Sequence, residues 1–442
     1  MRISILAFLL AVAALGASHA ARRLTLTEAV DLALRDNPLL KIARLKVREN
    51  SQRSLAVRAD SFPRLTNEAN LWQTLNRQQV TIPAGIFGQF PEQALLPPSP
   101  IRIEQGGNSL LFTSTTLGQP LTQLIKLHHG RRIAALDTDL AATDVRRAEH
   151  EIALKVHELY FALLIAQQQR RAAEALVAAA EERLEDSRRA VEAGTLLEVA
   201  AIGSRASLLE KRHARLALDN QLADLAVEFN DLLGLAPDTA LELVPPPPLD
   251  AADASPQEYL ETALAASTEV RAAQQTLEKA RSAVRAAKAD YLPELSVFGQ
   301  HIYQSGVPFL ARNNGIIGLR MNWNVFDFGK RADVVGERNA QLAQAEENLR
   351  RQRARVRVEV EKAWRKVERA RQMNDVAREA LALRREQERL NRDQHEAGVN
   401  VLAAYREASA ALAKAEADAL AADLNYRLAR AELERTVGRL PR

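Results

Sequence analysis

Apolar and polar positions alternate along Gly315 to Phe326: Ile317, Leu319, Met321, Trp323 and Val325 fall on one side, and Gly318, Arg320, Asn322 and Asn324 on the other. A period of two marks a strand, predicted at about 315–326. The period then changes. From Gly329 to Ala397 there is no proline and no glycine except Gly336, and apolar residues recur at three and four, as in Val356, Val360, Ala363, Val367 and Ala370. This predicts one helix over about 330–397, roughly 100 Å long. A strand with one purely apolar face and one Gly/Arg/Asn face suits a wall between lipid and water.

The rest of the chain reads as more of the same. Thr25 with Glu28 fits a capping box ahead of Ala29, Leu32 and Ala33. Asn37-Pro38 ends that helix and opens a second one, which runs to about Asp60 and stops at Phe62-Pro63. A weakly patterned strand follows at about 65–76. Arg77 to Asn108 holds Pro83, Pro91, Pro97, Pro98, Pro100 and Gly106-Gly107, a composition expected to form one long loop without helix or central strand. A second strand at about 109–119 puts Leu111, Thr113, Thr115 and Leu117 on one face. Helical patterning (Ile152, Val156, Leu159, Leu163, Ala166) then predicts long helices at about 130–193 and 197–233, meeting at Gly194.

Residues 236–254 form a linker stiffened by Pro245 to Pro248, and the same plan then repeats over 255–442. A shift of 230 pairs Glu28 with Glu258, Asn37 with Ser267, Asp60 with Asp290 and Pro63 with Pro293. Beyond the strands a shift of 204 pairs Tyr160 with Trp364, Glu192-Ala193-Gly194 with Glu396-Ala397-Gly398, and Gly234 with Gly438. The difference falls to the longer loop of the first copy. The second copy therefore carries strands at about 295–304 and 315–326 and helices at about 330–397 and 400–438. The first copy spans 21–235.

Composition narrows the setting. An apolar run from Ile5 to Leu15 behind Arg2, ending in Ser18-His19-Ala20, reads as a secretory signal peptide over 1–20. The sequence holds no cysteine, so disulfides, thiol chemistry and a lipid-anchoring cysteine are excluded. Past the signal no apolar run reaches the roughly 20 residues of a membrane-spanning helix, so any insertion must be as strands. Lys and Arg total 60 against 56 Asp and Glu, or +4, and removal of Arg2 leaves +3 spread along the chain. Bases alternate with acids and aromatics are only 5%, which argues against a nucleic-acid partner.

Four strands cannot close a membrane barrel, for which about eight is the practical minimum. Unclosed strands in lipid leave backbone groups unsatisfied at several kcal/mol each, so the strands demand self-association. Two copies give eight strands and a filled interior, three give twelve and an open lumen. The sequence does not choose, though a conduit favours three. The helices, with Arg353, Arg355, Arg357, Glu359 and Glu361 flanking the apolar seam, want neighbours on either side and water elsewhere, as in a ring of antiparallel helices. A coiled-coil rod satisfies the same periodicity, and the strands decide against it.

LTLTEAVDLALRDNP near the N-terminus, Ser61-Phe62-Pro63-Arg64-Leu65, Gln119-Pro120-Leu121, and Trp323-Asn324-Val325-Phe326-Asp327-Phe328-Gly329, set in order within a twofold repeat, resemble the TolC-type outer-membrane efflux channel family over the whole mature chain. The resemblance implies a mainly α fold with a β membrane part: a duplicated α-β-β-α unit whose homotrimer builds a twelve-stranded β-barrel continued by a long antiparallel α-helical barrel, with the linker in an equatorial region. It also implies a periplasmic adaptor (membrane fusion) protein and, through it, an inner-membrane pump of RND or ABC type. The adaptor is expected at the helix-helix turns, here Gly194, Thr195 and Leu196 in the first copy and Gly398, Val399 and Asn400 in the second. The glycines also serve any tight turn. Where the family closes its tip with aspartate rings just past the second glycine, this chain has Ala404 and Glu407, so an acidic gate is weakened. Threefold symmetry would turn Glu407, or Glu198, into a ring of like charge.

His128-His129 and the pair His150 and His157 lack the ligands to complete a metal site, and His157-Glu158 does not continue into HExxH. No phosphate loop or nucleophile elbow is present, so no cofactor, metal or catalytic residue is expected. Trp72, Phe112, Phe298, Tyr303, Trp323 and Phe326 are candidates for interfacial girdles. The reading is an outer-membrane exit duct of a tripartite efflux or type I secretion system, embedded in outer-membrane lipid and reaching into the periplasm. The alternative is a periplasmic adaptor or coiled-coil scaffold, which predicts one hairpin per chain and is disfavoured by the twofold repeat.

Overall fold

The computed structural model of the chain describes residues 22–76, 79–86, 97–247, 255–307, 310–399 and 402–441. The expected signal peptide, Pro248 of the linker and Asn400 lie outside the described residues. In chain order the elements are β1 (Arg22–Leu24), α1 (Leu26–Asp36), α2 (Pro38–Ala59), β2 (Arg64–Gln73), β3 (Gln79–Ile82), β4 (Ile101–Glu104), β5 (Ser109–Pro120), α3 (Gln123–Glu192) and α4 (Glu198–Leu233). There follow β6 (Leu241–Leu243), α5 (Pro256–Ala266), α6 (Thr268–Ala289), β7 (Glu294–Ser305), β8 (Asn313–Asn322), α7 (Lys330–Glu396) and α8 (Leu402–Val437). Two compact units result, one from the residues up to Val47 with Leu140–Gln274 and Asn348–Arg442, the other from Arg48–Asp139 with Gln275–Glu347. Each unit draws on both halves of the sequence.

In the first unit the two halves use the same local devices. Thr25 and Glu28 form a reciprocal capping box at the start of α1, and Ser255 and Glu258 repeat it at α5. Each short helix breaks at a residue whose side chain caps the next. Asn37 Oδ1 accepts from the Leu39 amide at 2.9 Å, and Ser267 Oγ accepts from the Val270 amide at 3.3 Å. The ends of α4 and α8 then press onto those breaks. Gly234 and Gly438 adopt φ of 71° and 87°, and a Cβ there would lie 3.0 Å from Asp36 O and 2.7 Å from Ala266 O respectively. Left-handed backbone and close approach both require glycine at these sites.

The core of this unit is built on the apolar stripe of α3. Val156, Tyr160 and Leu163 pack with Leu24, Leu40, Phe229, Leu233 and Leu243, and in the second half Val356, Val360 and Val367 pack with Tyr259, Ala429, Leu433 and Val437. β1 and β6 pair in parallel, Arg22 opposite Leu241 and Leu24 opposite Leu243, which the sequence pattern did not predict. Tyr160 holds that pair from below: its hydroxyl lies 2.9 Å from Leu24 O and 2.6 Å from Val244 O. Burial pushes the phenol up to about 12.

The second unit contains an antiparallel sheet in the order β2-β5-β7-β8. Three differences from the sequence reading arise here. The proline-dense stretch is not wholly loop, because Gln79–Ile82 and Ile101–Glu104, each with β-branched residues and no proline, pair antiparallel as β3 and β4. The strand expected to reach Phe326 ends at Asn322, opposite Glu294, the first residue of β7; Pro293 before it has no N–H to extend a ladder. There Asp327 instead caps α7, accepting from the Arg331 amide and its guanidinium, the latter at 2.7 Å. Finally, α3 starts at Gln123, ahead of the expected 130, once the Pro120 barrier is passed.

Candidate functional site

Cross-strand register divides the four-stranded sheet into two chemically distinct faces. Leu65, Leu117, Gly299 and Ile317 are successive partners across the sheet and share one face, as do Val297 and Leu319, Leu295 and Met321, and Leu71 and Leu111. That face carries no Asp, Glu, Lys or Arg, and its polar members are neutral, as in the row Asn67, Thr115 and His301, where Asn67 Nδ2 donates to Thr115 Oγ1 at 2.7 Å. On the other, Arg64, Glu68, Glu294 and Arg320 alternate with Thr66, Thr116, Ser114, Gln300 and Asn314. Gln300 Nε2 donates to Ser114 Oγ at 2.7 Å, and the Arg320 guanidinium sits 4.7 Å over the Phe298 ring. Gly318 leaves room for that ring, since a Cβ would come within 3.2 Å of it. A face without carboxylates or cations, dominated by Leu, Val, Ile and Met toward β8, fits hydrocarbon, and a charged face fits water.

The expected aromatic girdle is redistributed by the same register. Trp72, Phe112 and Phe298 lie on the charged face, with the first two rings stacked 6.4 Å apart, and Tyr303 lies on the apolar one. Trp323 and Phe326 fall beyond the end of β8. Both edges of the sheet, β2 and β8, are unpaired among the described residues, and the alternation of direction makes them antiparallel to each other.

In the first unit the two turn sites are built alike. Gly194 has φ 71° and donates to Val191 O, while the Thr195 amide reaches back to Ala190 O at 2.9 Å; Gly398 has φ 72° and donates to His395 O, while the Val399 amide reaches Gln394 O at 2.9 Å. Thr195 also donates its hydroxyl to Ala190 O at 2.9 Å, and the Leu196 amide shares the same acceptor. Among the described residues, chain neighbours apart, no atom lies within 4 Å of a Cβ built at either glycine, so neither turn is covered by them. Val399 is 79% exposed and Leu197 77%. Leu197, Val199 and Ile202 extend the exposed apolar tip beyond the expected residues, and the run Leu196-Leu197-Glu198-Val199 is the signal that points to them.

The two candidate aperture charges differ in setting. Glu407 on α8 pairs with Arg183 of α3 at 2.8 Å, so its carboxylate has a counter-charge within the chain. Glu198 is exposed in the first turn of α4, where the helix dipole favours a carboxylate, and has no ion-pair partner among the described residues. The histidines are used structurally. Nδ1 of buried His157 lies 2.8 Å from Ala153 O, which makes that nitrogen a donor, and its ring meets Phe161 edge-on. Among the described residues no three His, Asp or Glu side chains are grouped to hold a metal, and no helix is long and apolar enough to cross a membrane.

The profile of a family described as outer membrane efflux protein matches residues 29–235 and 259–439, once in each half. Among solved structures, the chain is similar to the outer-membrane channel OprN, with TM-score 0.73 at 17% identity over 93% of this chain and 89% of that one. The outer membrane protein VceC of Vibrio cholerae gives 0.72 at 14% over 93% and 96%. The CmeC outer membrane channel of Campylobacter jejuni gives 0.73 at 16% over 93% and 85%. At these identities the likeness is one of fold. A comparison of the sequence with curated proteins finds no match.

Proposed function

The chain belongs to the outer membrane efflux protein family, and from that premise we propose that it is the exit duct of a tripartite efflux or type I secretion system, working as a homotrimer that a periplasmic adaptor couples to an inner-membrane pump of RND or ABC type. The observation that carries the reading is the four-stranded sheet with one uncharged face and two open edges. Such a sheet is stable in lipid only if identical copies join β8 of one to β2 of the next. Because the edges are antiparallel, any number of copies closes without a direction fault, and three give twelve strands around a water-filled lumen. The apolar face then meets outer-membrane lipid and the charged face lines the passage.

The duct does no chemistry. Cargo moves down a path that the pump energises, and the adaptor meets the open turns at Gly194, Thr195 and Leu196 and at Gly398, Val399 and Asn400. Of the aperture charges, Glu407 is held by Arg183, whereas Glu198 is free to repel its symmetry mates. Since the sequence holds no cysteine, Thr195→Cys and Val399→Cys each introduce a unique thiol. Photocrosslinking from these positions in intact cell envelopes, with mass-spectrometric identification, is expected to capture a periplasmic adaptor. Protein correctly inserted in the outer membrane that captures none at either site would overturn the docking reading.

A further inference from the structure

Within the first unit, α3, α4 and the stretch 239–243 enclose a cavity of about 440 Å³, a size common among small-molecule sites. Its walls are apolar where Leu163, Leu222, Ala226, Phe229, Leu241 and Leu243 meet. Asn230 holds the loop before β6 in place, because its Nδ2 donates to Pro237 O and Thr239 O, each at 3.0 Å. Two polar groups in the walls are left unused by the fold. Asn230 is only 1% exposed, yet its Oδ1 receives no hydrogen bond among the described residues, and neither does the half-buried side-chain amide of Gln167 make one. Two guanidinium groups complete the lining. Arg170 is neutralised by Asp219 at 2.6 Å and Glu174 at 3.3 Å, whereas exposed Arg171 meets no carboxylate among the described residues and touches only Gln168 Oε1, at 3.5 Å.

The second half of the chain builds the same corner differently. A shift of 204 turns Leu222, Ala223 and Ala226 into Tyr426, Arg427 and Arg430, and turns Arg170 and Arg171 into Asn374 and Asp375. Tyr426 belongs to the core that contains Val367 and Leu433, and Arg427 is tied to Asp423 at 2.7 Å. The second copy thus places bulk where the first has alanines, and a carboxylate where the first has a cation without a counter-charge. Open space forfeits packing contacts, so a corner that had only to be filled would be filled in both copies. The first copy keeps the space, the unused amides and the cation together.

We propose that this cavity binds a small amphipathic carboxylate, with its apolar body against Leu163, Leu222, Phe229, Leu241 and Leu243, its charge on Arg171, and the Gln167 amide donating beside it. The apolar walls supply affinity, and one charge-assisted contact selects anions over neutral molecules of the same shape. A bound ligand ties α3 and α4 to β6 and stabilises the folded chain by mass action. The site uses none of the residues assigned to the passage or to adaptor docking, so it stands or falls separately from both.

The test uses the full chain in lipid nanodiscs, illuminated with the photoreactive probe 4-benzoylbenzoate and mapped by peptide mass spectrometry. Label is expected within 163–171 and 222–243, displaced by excess 2-naphthoate, and about tenfold weaker with the uncharged analogue 4-benzoylbenzamide. Arg171→Gln should lower labelling by the anion about tenfold and leave labelling by the amide unchanged. Ala226→Phe, which fills the cavity, should remove both. Arg171 is exposed, so its variant keeps the test decisive even where Ala226→Phe fails to assemble. Equal labelling by the two probes, label spread without preference for these segments, or anion labelling unchanged in Arg171→Gln would overturn the site. Label confined to protein whose native mass is that of one copy would overturn it too, because a neighbouring copy would then fill the cavity.

Discussion

Tyr160 offers one proton to two carbonyls, those of Leu24 and Val244, and so ties the short parallel pair of β1 and β6 to the centre of α3. Tyr160→Phe should cost about 1 kcal/mol, because the part-buried Val244 carbonyl loses the hydroxyl as donor and the Leu24 carbonyl keeps only the Val244 amide, at 3.1 Å, while little apolar contact is removed. The ionisation of the phenol gives a second, independent readout. Burial raises it from 10.0 to about 12, so below pH 10 both folded and unfolded chains keep the proton and the contribution to stability is complete. Between pH 10 and 12 the unfolded chain releases the proton first, and stability is lost as pH rises through the folded value. Thermal unfolding followed by circular dichroism in detergent should show this alkaline loss in the natural protein and a smaller one in Tyr160→Phe; equal slopes would refute the role given to the hydroxyl. The stripe containing Tyr160 was legible from its three-four spacing. Its hydrogen bonds were not, since both acceptors are backbone atoms, 136 and 84 residues away.

At the scale of the element, adjacent isoleucines make the sharpest comparison. Ile317 points to the uncharged face beside Gly299 and Leu117, and Ile316 to the charged face beside Gln300 and Thr116, near the middle of the sheet. Ile317→Arg should cost about 2–4 kcal/mol in a lipid-inserted barrel, and Ile316→Arg much less, because only the first places a guanidinium in hydrocarbon. Urea unfolding of protein refolded into lipid vesicles measures both, and equal costs would deny that the two faces meet different solvents. The alternation behind this contrast was readable in β8, as were the long helices, because a proline-free stretch with one buried stripe has few other options. The ends were harder. The alternation ran on to Phe326 in sequence, yet a strand continues only while it has a partner, and β7 begins at Glu294. The β3–β4 pair was hidden because each strand has only four residues and prolines dominate the segment between them. The capping boxes and turn glycines stood out since each is fixed by residues within one turn, and the family resemblance drawn from their order agrees with the match in both halves. The apolar residues beyond Leu196 went unnoticed as part of the tip because exposure is set by what the fold leaves uncovered.

For the whole molecule, the charged face of the sheet bears on how many copies join. In a barrel of eight strands the interior is just wide enough to be filled by side chains, so Arg64, Glu68, Glu294 and Arg320 of each copy would have to be packed against one another and away from water. Burying that many charges costs several kcal/mol each unless every one finds a partner, and within a copy Arg64 pairs with Asp60 outside the strand while Arg320 rests on the Phe298 ring. In a barrel of twelve strands the same groups remain hydrated and the penalty does not arise. Native mass spectrometry of the detergent-solubilised protein is therefore expected to give the mass of three copies, and the same material in planar bilayers is expected to conduct ions. A mass of two copies together with a silent bilayer would mean a filled barrel, and the open passage on which export depends would be lost with it.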